Sequence, residues 1–501
     1  MFFRERKCAR NLILLFFLFI FMMEPAGGAE ARNVYVCLAK GGAFTVASNG
    51  KMTLSDAAQK KHSLPRSVAL RVSGGKLVAG KSSWKLPAQI SSSGLLRHNN
   101  RSYRGSFLVS SQGFLLNVLN VEDYLRGVLP AEVGGDWAME ALKAQAIISR
   151  TYVLRQSMGR SSKGYDVLDT VTDQVYRGAG VETARTDKAV TETAGQVLVY
   201  GKGLAFTPFH SDSGGHTADN AEVWGKDLPY LKGVPEPVVY RSPNSTWTVK
   251  IPAAQVQRAL AKIGGSVGTV REIRVGGGTG GRASTLTFVG SNGSKTVRSS
   301  LFRMAIGPNV LKSTFLTGGG GGAFHKHPPV SVPSKVPEPI IKESEWQPEA
   351  SASKTEGLPK VPVPTSDTPM TLQQEERLLH LTAEGAFSTA ELMDMLMNPD
   401  KRKGYLYLAI QRGGGGSGRG KSAKLPSFSK VPSFPPLPQR EAAKPVGVIL
   451  PHNGVFTFHG RGWGHGVGLS QWGMLSLAKQ GWGAERVLTH YYPGTSVKRF
   501  K

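Results

Sequence analysis

The sequence predicts an α+β (mixed α/β) fold, with a β-rich N-terminal lead-in and a long disordered insertion. Three observations carry this. Residues 33 to 120 hold short alternating runs such as Val34-Tyr-Val-Cys-Leu, Val68-Ala-Leu-Arg-Val and Ser106-Phe-Leu-Val-Ser, broken by Gly, Ser and Asn at roughly 10-residue spacing. Beyond them Trp137, Leu142, Ala146, Ser149 and Val153 recur at helical spacing. Third, residues 317–447 contain 17 of the 30 prolines, between the glycine runs 318–322 and 413–416. Such a composition buries too little apolar surface to offset chain entropy.

In chain order, Arg4, Arg6, Lys7 and Arg10 precede the apolar run Asn11 to Met23, and Ala29-Glu-Ala31 reads as a small-x-small cleavage site. Residues 1–31 are therefore expected to be a cleaved signal peptide of an exported protein of the periplasm or cell envelope, with an N-terminal membrane anchor as the alternative. The run is short for a span of roughly 20 residues. Its loss leaves Cys37 alone, with no intramolecular disulfide and no thiolate metal cluster. The formal charge of +27 suits a wall polymer, anionic lipid or nucleic acid. It reads as spread thinly, without an aromatic-interleaved basic helix, so no nucleic acid is expected as a partner.

Residues 32–112 form the lead-in, where no chemistry is visible. From 113 to 316 runs the main region, with a small α/β insert at 247–316 that holds a helix Ala253 to Lys262 and strands around Ile273 and Leu286. The segment Val121-Glu-Asp-Tyr-Leu-Arg-Gly-Val-Leu-Pro-Ala-Glu132 places Glu132 between an apolar strand-like approach and a polar-faced helix capped by Asp136 and starting at Trp137. Read locally, Glu132 is an ordinary solvated or cap-region charge. Within the insertion 317–446, Thr371-Leu-Gln-Gln374 and Ser388-Thr-Ala-Glu391 are capping boxes that predict a helical hairpin over 371–397. Residues 447–501 restore order, with helices Met474 to Gln480 and Ala484 to His490.

Four segments resemble the SpoIID/LytB family, that of stage II sporulation protein D. They are Val121 to Glu132 with Glu140-Ala-Leu-Lys-Ala-Gln-Ala146 and Ser149-Arg-Thr-Tyr152; His210-Ser-Asp-Ser-Gly-Gly-His-Thr217; Phe302-Arg-Met-Ala-Ile-Gly with Leu311-Lys-Ser-Thr314; and Gly462-Trp-Gly-His-Gly-Val-Gly-Leu-Ser-Gln-Trp-Gly473 with His490-Tyr-Tyr-Pro-Gly494. They span about 115–316 and 447–496; the insertion and the N-terminal strands depart from the pattern. The resemblance implies a SpoIID-like catalytic domain, a peptidoglycan lytic transglycosylase acting on glycan strands stripped of stem peptides, with Glu132 as the catalytic residue. Some members are instead enhancers of a cell-wall amidase, which makes an amidase a possible partner and a non-catalytic role the alternative.

A lytic transglycosylase works with one carboxylate. A hydrolase usually needs two, for which only Asp173, Asp212 or Glu222 would have to fold nearby. The acid must be protonated near neutral pH, so its pKa must rise. Val128, Leu129, Pro130 and Val133 push it up, and Arg150 would push it down. Arg150 is expected either on the cleft floor, holding a glycan oxygen or lactyl carboxylate, or as a solvated helix arginine. His210, Ser211, Ser213, Gly214 and Gly215 are expected to line the cleft. Trp463, Tyr491 and Tyr492 are expected to stack on sugars, with His465 and Gln471 beside them. The histidine pairs 210/216 and 459/465 give only a weak case for zinc, because the cysteines that accompany such a metal in the family are missing; no cofactor is expected. A Ser/His/Asp triad from His210, Asp212 and Ser213 lacks a nucleophile-elbow context. The oligomeric state is not readable from the sequence.

Overall fold

The computed structural model describes residues 32–158, 163–237, 242–318, 406–407 and 445–500. The expected signal peptide, the helical hairpin at 371–397 and nearly all of the insertion lie outside the described residues. The described chain mixes helices and sheets, an α+β fold.

The N-terminal strands form two sheets. One has seven strands in the order Val167–Leu168, Asn33–Lys40, Phe114–Asn120, Ser106–Val109, Ala88–Ser92, Met52–Ser55, Lys61–Leu64. The other has six, in the order Arg101–Tyr103, Leu96–His98, Ala43–Ser48, Ser67–Ser73, Lys76–Ala79, Ser82–Lys85. Alternation sets their faces: Phe44, Val46, Leu70 and Leu77 point into a shared core, and the residues between them point to water. Gly74 and Gly75, at φ +57° and +71°, join Ser73 to Lys76 in a two-residue hairpin that needs positive φ twice.

Strand Phe114–Asn120 runs straight into helix α1, Val121–Glu132. The Asn120 side chain caps it by accepting the Glu122 N–H at 2.8 Å. The strand-like approach to Glu132 is this strand, Phe114–Asn120, but a helix that was not expected follows it, and the carboxylate ends that helix. Gly127 and Pro130 disguise that helix in the sequence. Gly127 is glycine because an added Cβ would lie 2.5 Å from the ring of Tyr176.

After a short turn comes α2, Met139–Ser157. It begins two residues later than expected, with Ala138 rather than Asp136 at the N-cap position; Glu140, Lys143 and Arg155 keep some exposure toward its ends, but its middle has no polar face. Every residue from Ala144 to Thr151 is buried, because α1, α3 (Ala184–Glu192), strand Gln196–Tyr200 and two C-terminal helices surround it. Arg150 sits in this packing with no exposed surface. Its Nε and Nη2 donate to the two oxygens of Glu122 at 2.9 and 2.6 Å, and Nη1 donates to the Gln196 carbonyl at 3.0 Å. Arg150 therefore ties α1 to α2 and to the strand beyond, and neither the cleft floor nor the solvated face describes it.

A second lobe has its own core. It holds strand Trp247–Pro252, α5 (Ala253–Lys262, at the expected residues), strands Val270–Gly277, Ala283–Gly290 and Gly293–Arg298, and α6 (Ser299–Ile306). Strands Pro445–Ile449 and Val455–Gly460 return to complete its two sheets. The remaining C-terminal residues go back to the first core. Leu469–Ser470 pairs parallel with Phe209–His210, α7 (Gln471–Lys479) and α8 (Ala484–Tyr491) cover α2, and Ser496–Arg499 pairs with Gln196–Tyr200.

Removing one partner of a buried ion pair leaves the other charge uncompensated. Arg150→Ala is therefore expected to lower unfolding stability by about 3–5 kcal/mol in urea titrations. The same change at solvated Lys81 should leave the midpoint unmoved.

Candidate active site

Glu132 opens into a cleft of about 370 Å³ between the two ends of the main fold. One wall comes from α2 and the loop after it: Tyr152, Thr172, Asp173 and Val175. The other comes from residues distant in sequence: His210, Ser211, Trp224, His465 and Gln471. A hollow of about 500 Å³ in the second lobe is larger, but Arg258 is the one ionisable group lining it, and no acid is present there.

Burial raises the Glu132 carboxyl from its ordinary value to about 7. Three groups oppose this without prevailing: the Val175 N–H, which donates to Oε1 at 2.6 Å, the Gln471 side chain and the Arg177 charge. Val128, Leu129 and Val133 are buried as expected of the apolar wall. The opposing cation is Arg177, not Arg150. Glu132 also ends α1, where the negative end of the helix dipole disfavours a carboxylate.

Of the loop His210–Gly215, only His210 and Ser211 reach the cleft. Ser213 and Gly214 are buried: the Ser213 N–H donates to Ser470 Oγ at 3.2 Å, its carbonyl accepts from Arg282, and Gly214 packs against Arg461. Gly215 serves the same turn, its N–H donating to Ser213 Oγ at 3.0 Å. These three residues scaffold the loop and do not line the cleft. Tyr491 and Tyr492 are fully buried, their hydroxyls donating to Glu236 at 2.9 Å and to the Pro208 carbonyl at 2.7 Å. Neither ring is available to a sugar. Trp463 is part-exposed but lies under Lys312, outside the cleft lining.

His210 and His465 do meet, at 5.4 Å between ring centroids, although neither spacing foretold it. Burial keeps both neutral, lowering His465 to about 3 and His210 well below its ordinary value. His210 Nδ1 donates to the Val467 carbonyl at 3.2 Å, and His465 Nδ1 accepts the Val467 N–H at 3.1 Å. Among the described residues no three His, Cys, Asp or Glu side chains converge as metal ligands.

The model of the family described as stage II sporulation protein, SpoIID, matches residues 111–200. That segment, 90 of the chain's 501 residues, resembles SpoIID. The chain is 31% identical over 223 residues to an uncharacterised protein of Brachyspira hyodysenteriae, covering 44% of this chain and 60% of that one. It is 34% identical over 162 residues to stage II sporulation protein D of Bacillus subtilis, covering 29% and 47%. With the amidase enhancer of the same organism it shares 36% over 132 residues, 26% of this chain and 17% of that one. The chain thus spans 60% or less of the length of these relatives.

The SpoIID segment supplies Glu132, Tyr152 and Asp173, and the facing wall lies beyond it. Arg150 and Tyr152 are two residues apart and so about 200° apart around α2. That angle sends the arginine into the core and the tyrosine to the cleft. Asp173 is the second carboxylate there, but its oxygens are engaged. Oδ1 accepts from Tyr152 Oη at 2.8 Å and Gln156 Nε2 at 3.3 Å, and Oδ2 from the Leu168 N–H at 2.9 Å. Asp212 and Glu222 lie outside the cleft lining, accepting from Gly214 N–H at 2.7 Å and Thr279 Oγ1 at 2.9 Å. Trp224 was missed altogether. It ends the five-residue helix α4, Asn220–Trp224, is 38% exposed, and lies 4.9 Å from the His465 ring. Only its place just before the αL cap Gly225 hints at it in the sequence.

A carboxyl raised on folding binds its proton more tightly in the native state. The stability this confers is present below the unfolded value near 4.5 and is lost as pH rises through about 7. Wild type minus Glu132→Gln stability, from denaturant titrations, should therefore fall between pH 5 and pH 8. Glu236, also raised to about 7 by burial, is common to both proteins and cancels.

Proposed function

We propose that the protein is an exported peptidoglycan lytic transglycosylase that cleaves MurNAc-GlcNAc bonds of peptide-stripped glycan to 1,6-anhydro ends. One observation carries the reading: the Glu132 carboxyl is held near neutral pKa in a cleft with an aromatic wall, where the second carboxylate, Asp173, is engaged by three donors. Export rests on the basic-then-apolar pattern of residues 1–31.

The protonated Glu132 donates its proton to the glycosidic oxygen as the bond to C1 breaks, and the GlcNAc side leaves as an alcohol. The resulting carboxylate takes the proton of the MurNAc C6 hydroxyl while O6 bonds to C1, closing the anhydro ring. Glu132 ends as it began, and no water is consumed. A hydrolase would need a second carboxylate to deliver water or to attack C1, and Asp173 is held by three donors. Trp224 and His465 offer flat faces to the sugar rings.

Glycan strands pre-treated with an amidase should give 1,6-anhydro muropeptides with the wild type. Glu132→Gln should lower the rate about 10²–10⁴-fold, the usual share of a general acid. Equal product from both proteins, or none from the wild type, rejects the reading. Trp224→Ala should lower kcat/KM about tenfold, consistent with one lost ring contact. The likeness to the amidase enhancer of Bacillus subtilis favours a second reading, a wall-binding enhancer of an N-acetylmuramoyl-L-alanine amidase. Stimulated amidase release that survives Glu132→Gln would select it.

A further inference from the structure

The basic charge is not spread thinly. Residues 33–112 contain twelve lysines and arginines and one acidic residue, Asp56. Asp56 is taken by His62 at 3.1 Å. Three of the twelve serve the fold: Arg101 with Asp169, Arg104 with Glu182, and Lys40, whose Nζ donates to Tyr165 Oη at 3.1 Å.

Four others share one surface. In the six-stranded sheet, cross-strand pairing aligns Arg71 with Ala43, Ser73 with Lys76, Lys76 with Lys85 and Ala47 with Arg97. Directly paired residues face the same way. The opposite alternation, through Phe44, Leu70, Leu77 and Leu96, fills the core. Arg71, Lys76, Lys85 and Arg97 therefore stand together on the outer face, all exposed, with no ion pair to any described residue. Arg97 and Lys85 lie on strands four steps apart, about 19 Å at the usual strand spacing. Between them are small side chains such as Ala43, Thr45, Ala69 and Ser83, and no acid. Lys76 and Lys85 are directly opposed like charges, an arrangement that destabilises a sheet. A face needed only for solubility would mix both signs.

We infer that this outer sheet face binds a carboxylate-bearing glycan strand, the peptide-stripped peptidoglycan whose lactyl groups are free acids. The inference rests on the substrate proposed above and adds to it a second contact surface away from the cleft. A flat row of cations, two of them arginines suited to carboxylate forks, complements a polymer with a charge on each repeat. No aromatic residue stands on this face to stack a nucleic-acid base, and no large apolar residue stands there to enter a lipid surface. Edge strand Arg101–Tyr103 packs against residues 178–181, just after the loop that carries Asp173 and Val175 into the cleft. A strand held on the sheet thus lies on the same body as the catalytic acid.

The test uses the full chain carrying Glu132→Gln, so that binding is measured without cleavage, with and without Arg71→Gln, Lys76→Gln, Lys85→Gln and Arg97→Gln together. The probes are amidase-stripped glycan, the same glycan with its carboxylates converted to amides, and double-stranded DNA. At low salt the four-fold variant should bind stripped glycan about tenfold or more weakly. The amidated glycan should bind the parent as weakly, and salt at about 1 M should erase the difference. The variant should unfold no earlier than its parent, because it removes the Lys76–Lys85 repulsion. Unchanged glycan affinity in the variant, equal binding of the amidated glycan, or tighter binding of DNA overturns the inference. Absence of anhydro product from the wild type rejects the catalytic reading and leaves this binding result standing.

Discussion

Everything at the site depends on keeping one carboxyl from water. Glu132 stands where α1 ends, and the segments that close over it come from the 170s, the 210s and the 460s to 470s. An acid so placed holds its proton because its charged form loses hydration that one backbone N–H, one glutamine and one arginine do not restore. Had Arg150 been turned toward it, the balance would tip to the carboxylate. Glu122 captures that guanidinium inside the core and fixes the helix pair that carries Glu132.

The second lobe bears on the same point. Its Arg282, buried between the lobes, donates to the carbonyls of Ser213 and His216 (2.8 Å to the latter) and so steadies the loop that presents His210 and Ser211. Strand pairing of Phe209–His210 with Leu469–Ser470 then brings His465 and Gln471 to the same wall. Segments more than 250 residues apart in sequence meet across this pairing, and the long insertion 317–446 separates them in the chain without separating them in space.

Local patterning made part of this legible. Period-two alternation with glycine turns marks the N-terminal strands, and α5 begins and ends where its pattern says. The family motifs led to Glu132, and His210, Ser211, His465 and Gln471 do line the cleft with it. What was illegible depends on partners. A helix with Gly127 and Pro130 in it reads as a turn until Tyr176 is seen against the glycine. A helix whose middle is buried on all sides has no polar face to read there, so Arg150 lies in the core and Tyr152, to which the sequence assigns no role, reaches the cleft. Tyr491 and Tyr492, attractive as sugar platforms, spend their hydroxyls inside, while Trp224 carries no motif and owes its place to the fold. The charge of the β-rich lead-in looked diffuse because register, not sequence order, gathers Arg71, Lys76, Lys85 and Arg97.

The central claim is that burial keeps the Glu132 carboxyl protonated near neutral pH, and a direct titration tests it. Carboxyl ¹³C shifts or carbonyl-stretch infrared bands, taken as the difference between wild type and Glu132→Gln, follow this one group. A transition near pH 7 is the result the account predicts. A transition near the ordinary glutamate value of about 4.3 would contradict it.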